Sequence, residues 1–442
     1  MRQLTIDLPA RLLLKLSPWR TAPKWRVAFS GGLDSTVLLH LLAQLAKKHS
    51  LPELKAIHIH HGLQAAADAW PEHCQRVCDA LGVSLEVIHV QVQPGASLER
   101  AAREARYGAF VEATKTNELL LTAQHRDDQA ETLLFRLLRG AGVRGLSAIP
   151  SQRPLGRGFL LRPLLDVSRA ELEAYAVEHQ LSWIDDPSNT DQQFSRNYLR
   201  QQIFPALTQR WPQAVTTIAR SAAHLSEAQG LLDDLAEIDL VPAATVSEFD
   251  WLGVPSLEMA ALEKLSAARQ RNALSHWLAP LTRMPDSDHW SGWENLRDAA
   301  TDARPIWRLA DGELHRANGR IWWLSGHWLD LPEPAPPWPD PLTELRLPNN
   351  GRLTFSGTVP VGVLSVCYRQ GGEVMHLPGR GHRDLKRLLN ESGLPLFARG
   401  RLPLLYCNEQ LLAVANLRGL DGSAGGNCLL RWQPAINDQG LS

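Results

Sequence analysis

Cysteine is scarce in this chain, with five among 442 residues. Cys74, Cys78, Cys367, Cys407 and Cys428 show neither metal-ligand spacing nor a disulfide framework. Cys74 and Cys78 lie four apart on a predicted helix and read as buried thiols rather than a redox or zinc pair. Long apolar runs are missing too: none approaches the ~18 residues that span a bilayer. Leu12-Leu13-Leu14 is too short, and too soon followed by charge, for a signal peptide. The expected compartment is the cytoplasm. Net charge is almost absent at -1, so any nucleic-acid surface has to be local. The 44% hydrophobic and 21% charged residues make an ordinary globular composition, with length for roughly two to three domains.

The stretch that organises the rest is Ser30-Gly31-Gly32-Leu33-Asp34-Ser35-Thr36. It follows an apolar run at 25–29 and opens into Val37-Leu38-Leu39, reading as strand, glycine turn and helix. Adjacent glycines let the backbone turn sharply and approach a ligand closely. The helix start offers free N–H groups and the positive end of its dipole to an anion. Ser30, Ser35 and Thr36 add hydroxyl donors, and the Asp34 carboxylate suits Mg²⁺ beside phosphates. No lysine follows the glycines, which excludes a Walker A loop. Strands are predicted over 25–29, 54–59, 84–90 and 118–122, and helices over 35–49, 68–81, 98–114 and 128–138. This alternation predicts an α/β fold with a parallel sheet covered on both faces. Ligands of such sheets bind at the carboxyl ends of the strands. Ser168-Arg169-Ala170-Glu171 has capping-box form and starts a further helix.

Past about residue 212 helical patterns dominate, over 214–235 and 257–281, and nine of the fifteen tryptophans fall between 251 and 338. Tryptophan can stack on RNA bases, but core filling is the preferred reading for most of these. Six prolines in the ten residues 332–341 favour an extended, semi-rigid linker. Beyond them 345–367 and 404–413 read as strands of a small β-rich module. The implied segments are 1–212, 213–331, a linker at 332–343, and 344–436.

Further constellations carry chemistry. Ile57-His58-Ile59-His60-His61-Gly62 ends the second strand without Cys, Asp or Glu at ligand spacing. Its histidines read better as cleft-lining imidazoles than as a metal site, with His60 and Gly62 candidates for a nucleotide pocket. On the helix from 98, Arg103 and Arg106 face the same way, and either suits a carboxylate or phosphate. Arg100 and Glu104 read as a solvated face. In Thr122-Ala123-Gln124-His125-Arg126-Asp127-Asp128-Gln129-Ala130-Glu131-Thr132 a helix starts with Asp127 or Asp128 as N-cap. Asp128 and Glu131 then share one face, suited to an ammonium group or Mg²⁺. Arg380, Arg383, Lys386, Arg387, Arg399 and Arg401, against Asp384 and Glu391, make a basic stretch suited to phosphate.

Ser30 to Ser35 resembles the PP-loop of the N-type ATP pyrophosphatase superfamily. With His61-Gly62-Leu63, the run from Ala102 to Tyr107 and that from Thr122 to Thr132, the chain resembles the tRNA(Ile)-lysidine synthetase family. Asp185-Asp186-Pro187-Ser188-Asn189-Thr190 and Arg196-Asn197-Tyr198-Leu199-Arg200 match the end of that family's catalytic domain. Ala268-Arg269-Gln270-Arg271-Asn272 resembles its middle domain. Leu377 to Leu388, Leu394-Pro395, Arg399 and Pro403-Leu404-Leu405 resemble its C-terminal module. Gln64 and Gln124 depart from residues the family often carries there.

The resemblance implies a PP-loop catalytic domain, a helical tRNA-contacting domain and a small α+β, basic tRNA-binding module over the segments above. It implies a ligase using ATP and Mg²⁺. ATP adenylates the C2 oxygen of the wobble cytidine of the CAU-anticodon tRNA(Ile), releasing pyrophosphate. Free L-lysine then attacks C2 through its ε-amine and expels AMP. The lysidine formed changes codon reading from AUG to AUA and identity from methionine to isoleucine. On this reading Ser30, Gly31, Gly32, Leu33, Asp34, Ser35, Thr36, His60 and Gly62 bind ATP, and Asp34 holds Mg²⁺. Asp128 or Glu131 positions the amine and helps take its proton; Arg103 or Arg106 holds the lysine carboxylate. Arg196, Asn197, Arg200 and the six cations from Arg380 to Arg401 contact tRNA. A homodimer is compatible with this reading. The rivals are a PP-loop tRNA thiolase, which needs relay cysteines or an iron–sulfur cluster, and an amidating synthetase, which needs an ammonia source. The only cysteines of the first segment, Cys74 and Cys78, are expected to lie away from every motif loop.

Overall fold

The computed structural model describes residues 7–62, 65–92, 98–187, 195–284, 287–300, 303–423 and 428–435. Leu63, Gln64 and the 188–190 end of the Asp185 motif lie outside these residues. The chain forms two compact units that divide between Leu231 and Leu232, inside a long helix.

In the first unit α1 (Leu8–Leu16) precedes β1 (Lys24–Ala28), α2 (Leu33–Lys48), β2 (Glu53–His60), α3 (Trp70–Leu81), β3 (Ser84–His89), α4 (Leu98–Ala113), β4 (Leu119–Leu121) and α5 (Arg126–Leu137). Then come α6 (Val143–Leu146), β5 (Gln152–Leu155), β6 (Gly158–Leu161), α7 (Arg169–Glu178), α8 (Ser195–Tyr198), α9 (Phe204–Arg210) and α10 (Ala214–Leu240). The sheet order is β3-β2-β1-β4-β6-β5, parallel except for the β5–β6 hairpin. From β1 the chain moves outward to β2 and β3, then returns to set β4 on the other side of β1. Such a reversal opens a crevice at the carboxyl ends of β1 and β4.

The sheet is fixed from both faces. Trp25 and Val27 of β1 are fully buried, as are Val37, Leu38, Leu39, Leu41 and Leu42 of α2. Each such side chain contributes roughly 1.5–3 kcal/mol. Buried Arg26 of β1 joins a charge of β3 to one just before β4: its Nε donates to Glu118 (2.7 Å) and its NH1 to Glu86 (3.1 Å). Burial alone would raise the Glu118 pKa, but Arg26 and the Lys115 N–H reverse the sign and hold it below the ordinary carboxylate range.

In the second unit β7 (Ser256–Glu258), α11 (Met259–Glu263), α12 (Ala267–Leu278), α13 (Ser291–Asp298), β8 (Ile306–Arg308), β9 (Glu313–Ala317) and β10 (Arg320–Leu324) combine helices with a sheet of order β7-β10-β9-β8. The tryptophan-rich stretch thus adds strands to the expected helices, because Trp307, Trp322 and Trp323 pack well on a pleated surface. All three are buried, as are Trp293, Trp328 and Trp338, in keeping with core filling. Next follow β11 (Leu345–Leu347), β12 (Gly351–Gly357), β13 (Leu364–Cys367), β14 (Val374–Leu377), β15 (Gly381–Asp384), α14 (Leu385–Glu391), α15 (Leu396–Arg399), β16 (Leu404–Cys407), β17 (Gln410–Val414) and β18 (Cys428–Gln433). They form sheets of order β11-β12-β18 and β13-β16-β17-β14-β15.

The proline-rich stretch is not a free spacer. Trp338 is buried and donates its Nε1–H to the Thr343 carbonyl (3.0 Å). Residues on both sides of it share one apolar cluster, with Trp322, Leu324 and Trp328 beside Leu345, Leu353, Leu404 and Trp432. Proline stiffens the backbone but does not keep the intervening tryptophan out of a core.

Candidate active site

The organising loop is built as its glycines suggest. Phe29 N–H donates to the Ile57 carbonyl (2.8 Å), carrying β1 one residue further before the turn. Gly31 has φ +85°, a conformation glycine takes at little cost. Its carbonyl accepts from Ile184 N–H (2.9 Å). A Cβ there would stand 2.8 Å from Ile184 Cδ1 and 3.1 Å from Cys74 Sγ. Gly32 caps α2 without a side-chain bond, so the first N–H groups of the helix face the turn. Ser30 Oγ and Ser35 Oγ lie 3.0 Å apart, and Gly32 N–H donates to Ser30 Oγ (3.3 Å).

Around this loop lies a cavity of about 410 Å³ lined by Ser30, Gly32, Asp34 and Ser35, by His60, by Arg103 and Arg106 of α4, by Gln124 and Asp128 after β4, and by Asp186 and Arg196. Several candidates are absent from its wall. Thr36 is buried, and its hydroxyl donates to the Gly32 carbonyl (3.0 Å), so it shapes the turn instead of meeting a ligand. Leu33 belongs to the apolar core. Gly62 is exposed, with φ +63°, and lies after β2 outside the cavity wall.

The second motif converges on the first through His125, which sequence reasoning quoted but gave no role. His125, not Asp127 or Asp128, is the N-cap of α5: its Nδ1 accepts from Asp127 N–H (3.2 Å), and Asp128 Oδ2 accepts from His125 N–H (3.0 Å). The ring is buried, with Nε2 3.7 Å from Asp34 Oδ2 and 3.6 Å from Asp128 Oδ2. Burial pushes its pKa down, but Asp127, Asp128 and Asp34 together hold it above the ordinary imidazole value. Asp34 moves upward in turn: burial outweighs the attraction of His125 and Arg169. Arg169, the first residue of α7, was also missed. Its NH1 donates to both Asp34 oxygens (3.0 Å each), while its backbone N–H donates to Asp127 (2.9 Å). The capping box at Ser168 marked that helix start, but nothing local showed where it points.

Glu131 and Arg200 change standing together. Glu131 is buried, with Arg200 Nε and NH2 donating to its two oxygens (2.7 and 2.8 Å), and NH2 also reaching Asp128 Oδ1 (3.4 Å). Arg200 is therefore committed to carboxylates rather than free for RNA, and Glu131 is covered by it. Burial raises the Glu131 pKa more than Arg200 lowers it. Of the acid pair, only Asp128 lines the cavity.

The same cavity wall carries arginines. Arg103 lies over the Tyr107 ring (4.9 Å). Arg106 is half-buried, and desolvation, with the like charges of Arg103 and Arg196, lowers its pKa. Among the described residues neither Arg103 nor Arg106 has an acid within ion-pair distance. Arg100 and Glu104 pair on the solvent face (2.7 Å). Asn197 does not line the cavity.

Cys74 corrects another expectation: it packs against Gly31, with Sγ 3.4 Å from His58 Nδ1. It is fully buried, however, and burial pushes both Cys74 and Cys78 up to about 12. Proximity without a thiolate gives no nucleophile.

In the second unit the basic stretch disperses. Arg380 and Arg387 both pair with Glu391 (3.3 and 3.0 Å). Arg399 turns inward to the Leu394 carbonyl (2.8 Å). Arg401 is buried, donating to Asn350 Oδ1 (3.1 Å) and to the carbonyls of His327 and Asp330 (2.6 Å each), so it is a core residue and not a phosphate contact. Arg383 and Lys386 stay exposed. No helix among the described residues is long and apolar enough to cross a membrane.

Three family models match the chain. Residues 7–207 match a family model described as a PP-loop domain, 257–322 one described as the TilS substrate binding domain, and 364–433 one described as the TilS substrate C-terminal domain. The chain is similar to the tRNA(Ile)-lysidine synthase of Pseudomonas fluorescens, with 70% identity across 100% of both chains. It is 64% identical to that of Pseudomonas syringae pv. tomato, over 99% of this chain and 98% of the relative. Among solved structures it is similar to a U34-tRNA thiolase from Methanococcus maripaludis, at 18% identity and TM-score 0.41 over 50% of this chain and 78% of that one. The PP-loop match implies use of ATP. With full-length identity at that level, the chain belongs to the tRNA(Ile)-lysidine synthase family.

Proposed function

We propose that this chain ligates free lysine to C2 of the wobble cytidine of CAU-anticodon tRNA(Ile), through a tRNA adenylated on the C2 oxygen. One observation carries the reading: a single cavity joins an anion-binding loop, the three carboxylates of Asp34, Asp128 and Asp186, and the arginines Arg103, Arg106 and Arg196. In the first step the C2 oxygen attacks the α-phosphate of ATP and pyrophosphate leaves. The N–H groups at the start of α2, with Ser30 and Ser35, suit the departing pyrophosphate, and preorganised donors of this kind are usually the largest catalytic contribution. Asp34 and Asp128 flank His125 Nε2 from two sides. One or two carboxylates is what Mg²⁺ usually takes from a protein beside phosphates and water, so this donor set fits the ion. Mg²⁺ held there would offset phosphate charge.

In the second step the ε-amine forms the C2–N bond, the C2–O bond breaks, and AMP leaves with the electron pair. The amine, with an unperturbed pKa of ~10.4, first loses a proton. Asp128 suits that role better than Glu131, because Arg200 covers Glu131. Arg106, half-buried and without a carboxylate, suits the lysine α-carboxylate better than Arg103, which is exposed and lies over Tyr107. The thiolase alternative is weakened by Cys74 and Cys78, whose thiols stay protonated. The test is incubation with ATP, Mg²⁺, radiolabelled lysine and bulk tRNA. Label in one CAU-anticodon isoacceptor supports the reading; label in none, or in many tRNAs alike, overturns it. A cytoplasmic enzyme acting on tRNA follows from the same proposal.

A further inference from the structure

Arg169 stands where local chemistry gives a cation no reason to be. It is the first residue of α7, at the positive end of that helix's dipole, where an acid is favoured instead. Its contacts explain the placement. NH1 donates to both Asp34 oxygens (3.0 Å each), Nε to Glu173 (2.9 Å), and the backbone N–H to Asp127 (2.9 Å). Among the described residues no other arginine or lysine lies within ion-pair distance of Asp34. Leu172 and Ala176 of α7 join the apolar core that buries α2. Further along the same pair of helices the Tyr175 hydroxyl lies 2.9 Å from His40 Nδ1. A fixed helix pair thus delivers Arg169 to Asp34. Arg169 is absent from the cavity wall that Asp34, Asp128 and Asp186 share, so it reaches the carboxylate from outside that wall.

We propose that Arg169 is a positioning residue for the ATP-cleaving step: it is the resident counter-ion of Asp34, orienting the carboxylate and holding its charge until a divalent cation arrives with the nucleotide. The inference rests on the assignment of Asp34 to Mg²⁺ above. A carboxylate and a triphosphate in one cavity repel each other, and two further acids share the wall. A guanidinium on Asp34 reduces that repulsion before any metal is present. The same contact makes Asp34 a poor ligand for a bare divalent cation. Arg169 already takes one acceptor position on each oxygen, and its charge repels a second cation. Metal entry is thereby tied to the phosphates, which Mg²⁺ takes as ligands beside one or two carboxylates. A residue that only braced α7 would not act in opposite directions on metal and nucleotide.

The test measures equilibrium binding to the full chain without tRNA or lysine, of Mn²⁺ alone and of α,β-methylene-ATP in the presence of EDTA. Arg169→Ala is expected to tighten Mn²⁺ binding about tenfold, the effect of losing a charged competitor for the same oxygens, and to weaken the metal-free nucleotide several-fold. Arg169→Lys should stay near wild type in both, since a single nitrogen spans the two oxygens and an ammonium keeps the charge. Asp34→Asn combined with Arg169→Ala should lose the Mn²⁺ gain, which places that gain at Asp34. Arg169→Gln, closer to the native length, carries the same expectation if the alanine variant does not fold. A Mn²⁺ affinity that is unchanged, or that falls together with the nucleotide affinity, overturns the counter-ion role alone. A wild-type chain with the expected affinities that incorporates no lysine into tRNA overturns the lysidine reading alone. One that binds no α,β-methylene-ATP even with Mg²⁺ overturns both.

Discussion

The cavity of the first unit and the basic stretch of the second differ in how sequence becomes structure. In the first, residues that are neighbours in the chain remain together in space. The motifs after β1, β2 and β4 are strand-end stretches, and a parallel sheet delivers all its carboxyl ends to one edge, where α4 adds Arg103 and Arg106. In the second, six cations between Arg380 and Arg401 that look like one patch go three ways: onto Glu391, into the interior, and to solvent. Meanwhile Arg352, Arg418 and Arg431, far apart in sequence, gather on one cavity. A contiguous charge run says little about a surface until strand register and helix phase are known.

The largest expected effect lies in the cavity. Asp128→Asn should lower kcat for lysine incorporation by about 10²–10⁴, the usual share of a positioned acid or base. Glu131→Gln should cost less, because it acts through Arg200. Equal losses would mean that the cavity-lining acid holds no privileged place. In the second unit the contrast is between interior and surface cations. Arg401→Ala should destabilise the chain by about 2–4 kcal/mol in denaturant melts, by removing a buried guanidinium that holds Asn350 Oδ1 and the carbonyls of His327 and Asp330. Arg387→Ala should change stability by less than about 1 kcal/mol. The reverse order would restore the basic stretch as a single surface.

Gly31→Ala should destabilise by about 1–3 kcal/mol and raise KM for ATP, since a side chain at φ +85° is strained and meets Ile184. A variant that melts and binds ATP like wild type would show that the loop does not need its conformation. The smallest effect is pH-dependent. The folded Glu118 pKa lies below its unfolded value of ~4.3. Its stabilisation is therefore full above that value and lost as pH falls through the folded one. The stability gap between wild type and Glu118→Gln should be widest near neutrality and close on acidification; a gap independent of pH would remove the Arg26–Glu118 pair from the account.

Much of the first unit was legible, because periodicity marks strands and helices, and glycine and capping patterns mark their ends. The strand–loop–helix at Ser30, the helix carrying Arg103 and Arg106, and the capping box at Ser168 all stand where local chemistry put them. What was not legible depends on distance in sequence. Arg169 reaches Asp34 across the fold, Arg200 covers Glu131, and Cys74 packs on Gly31. His125 caps α5 in place of the acids that follow it, since an imidazole nitrogen serves as acceptor there too. In the second unit burial decided the rest: Trp338 sits in the core although prolines surround it, and Arg401 is internal although it closes a stretch rich in cations.

The central claim is that one cavity couples ATP cleavage to lysine transfer onto a tRNA base. The most direct measurement is stoichiometry in a single reaction with labelled lysine and ATP labelled at the α-phosphate. Equal amounts of tRNA-bound lysine, AMP and pyrophosphate, with none of the three formed when tRNA is omitted, are the predicted result. ADP and phosphate as products, or AMP formed without lysine bound to tRNA when all substrates are present, would contradict it.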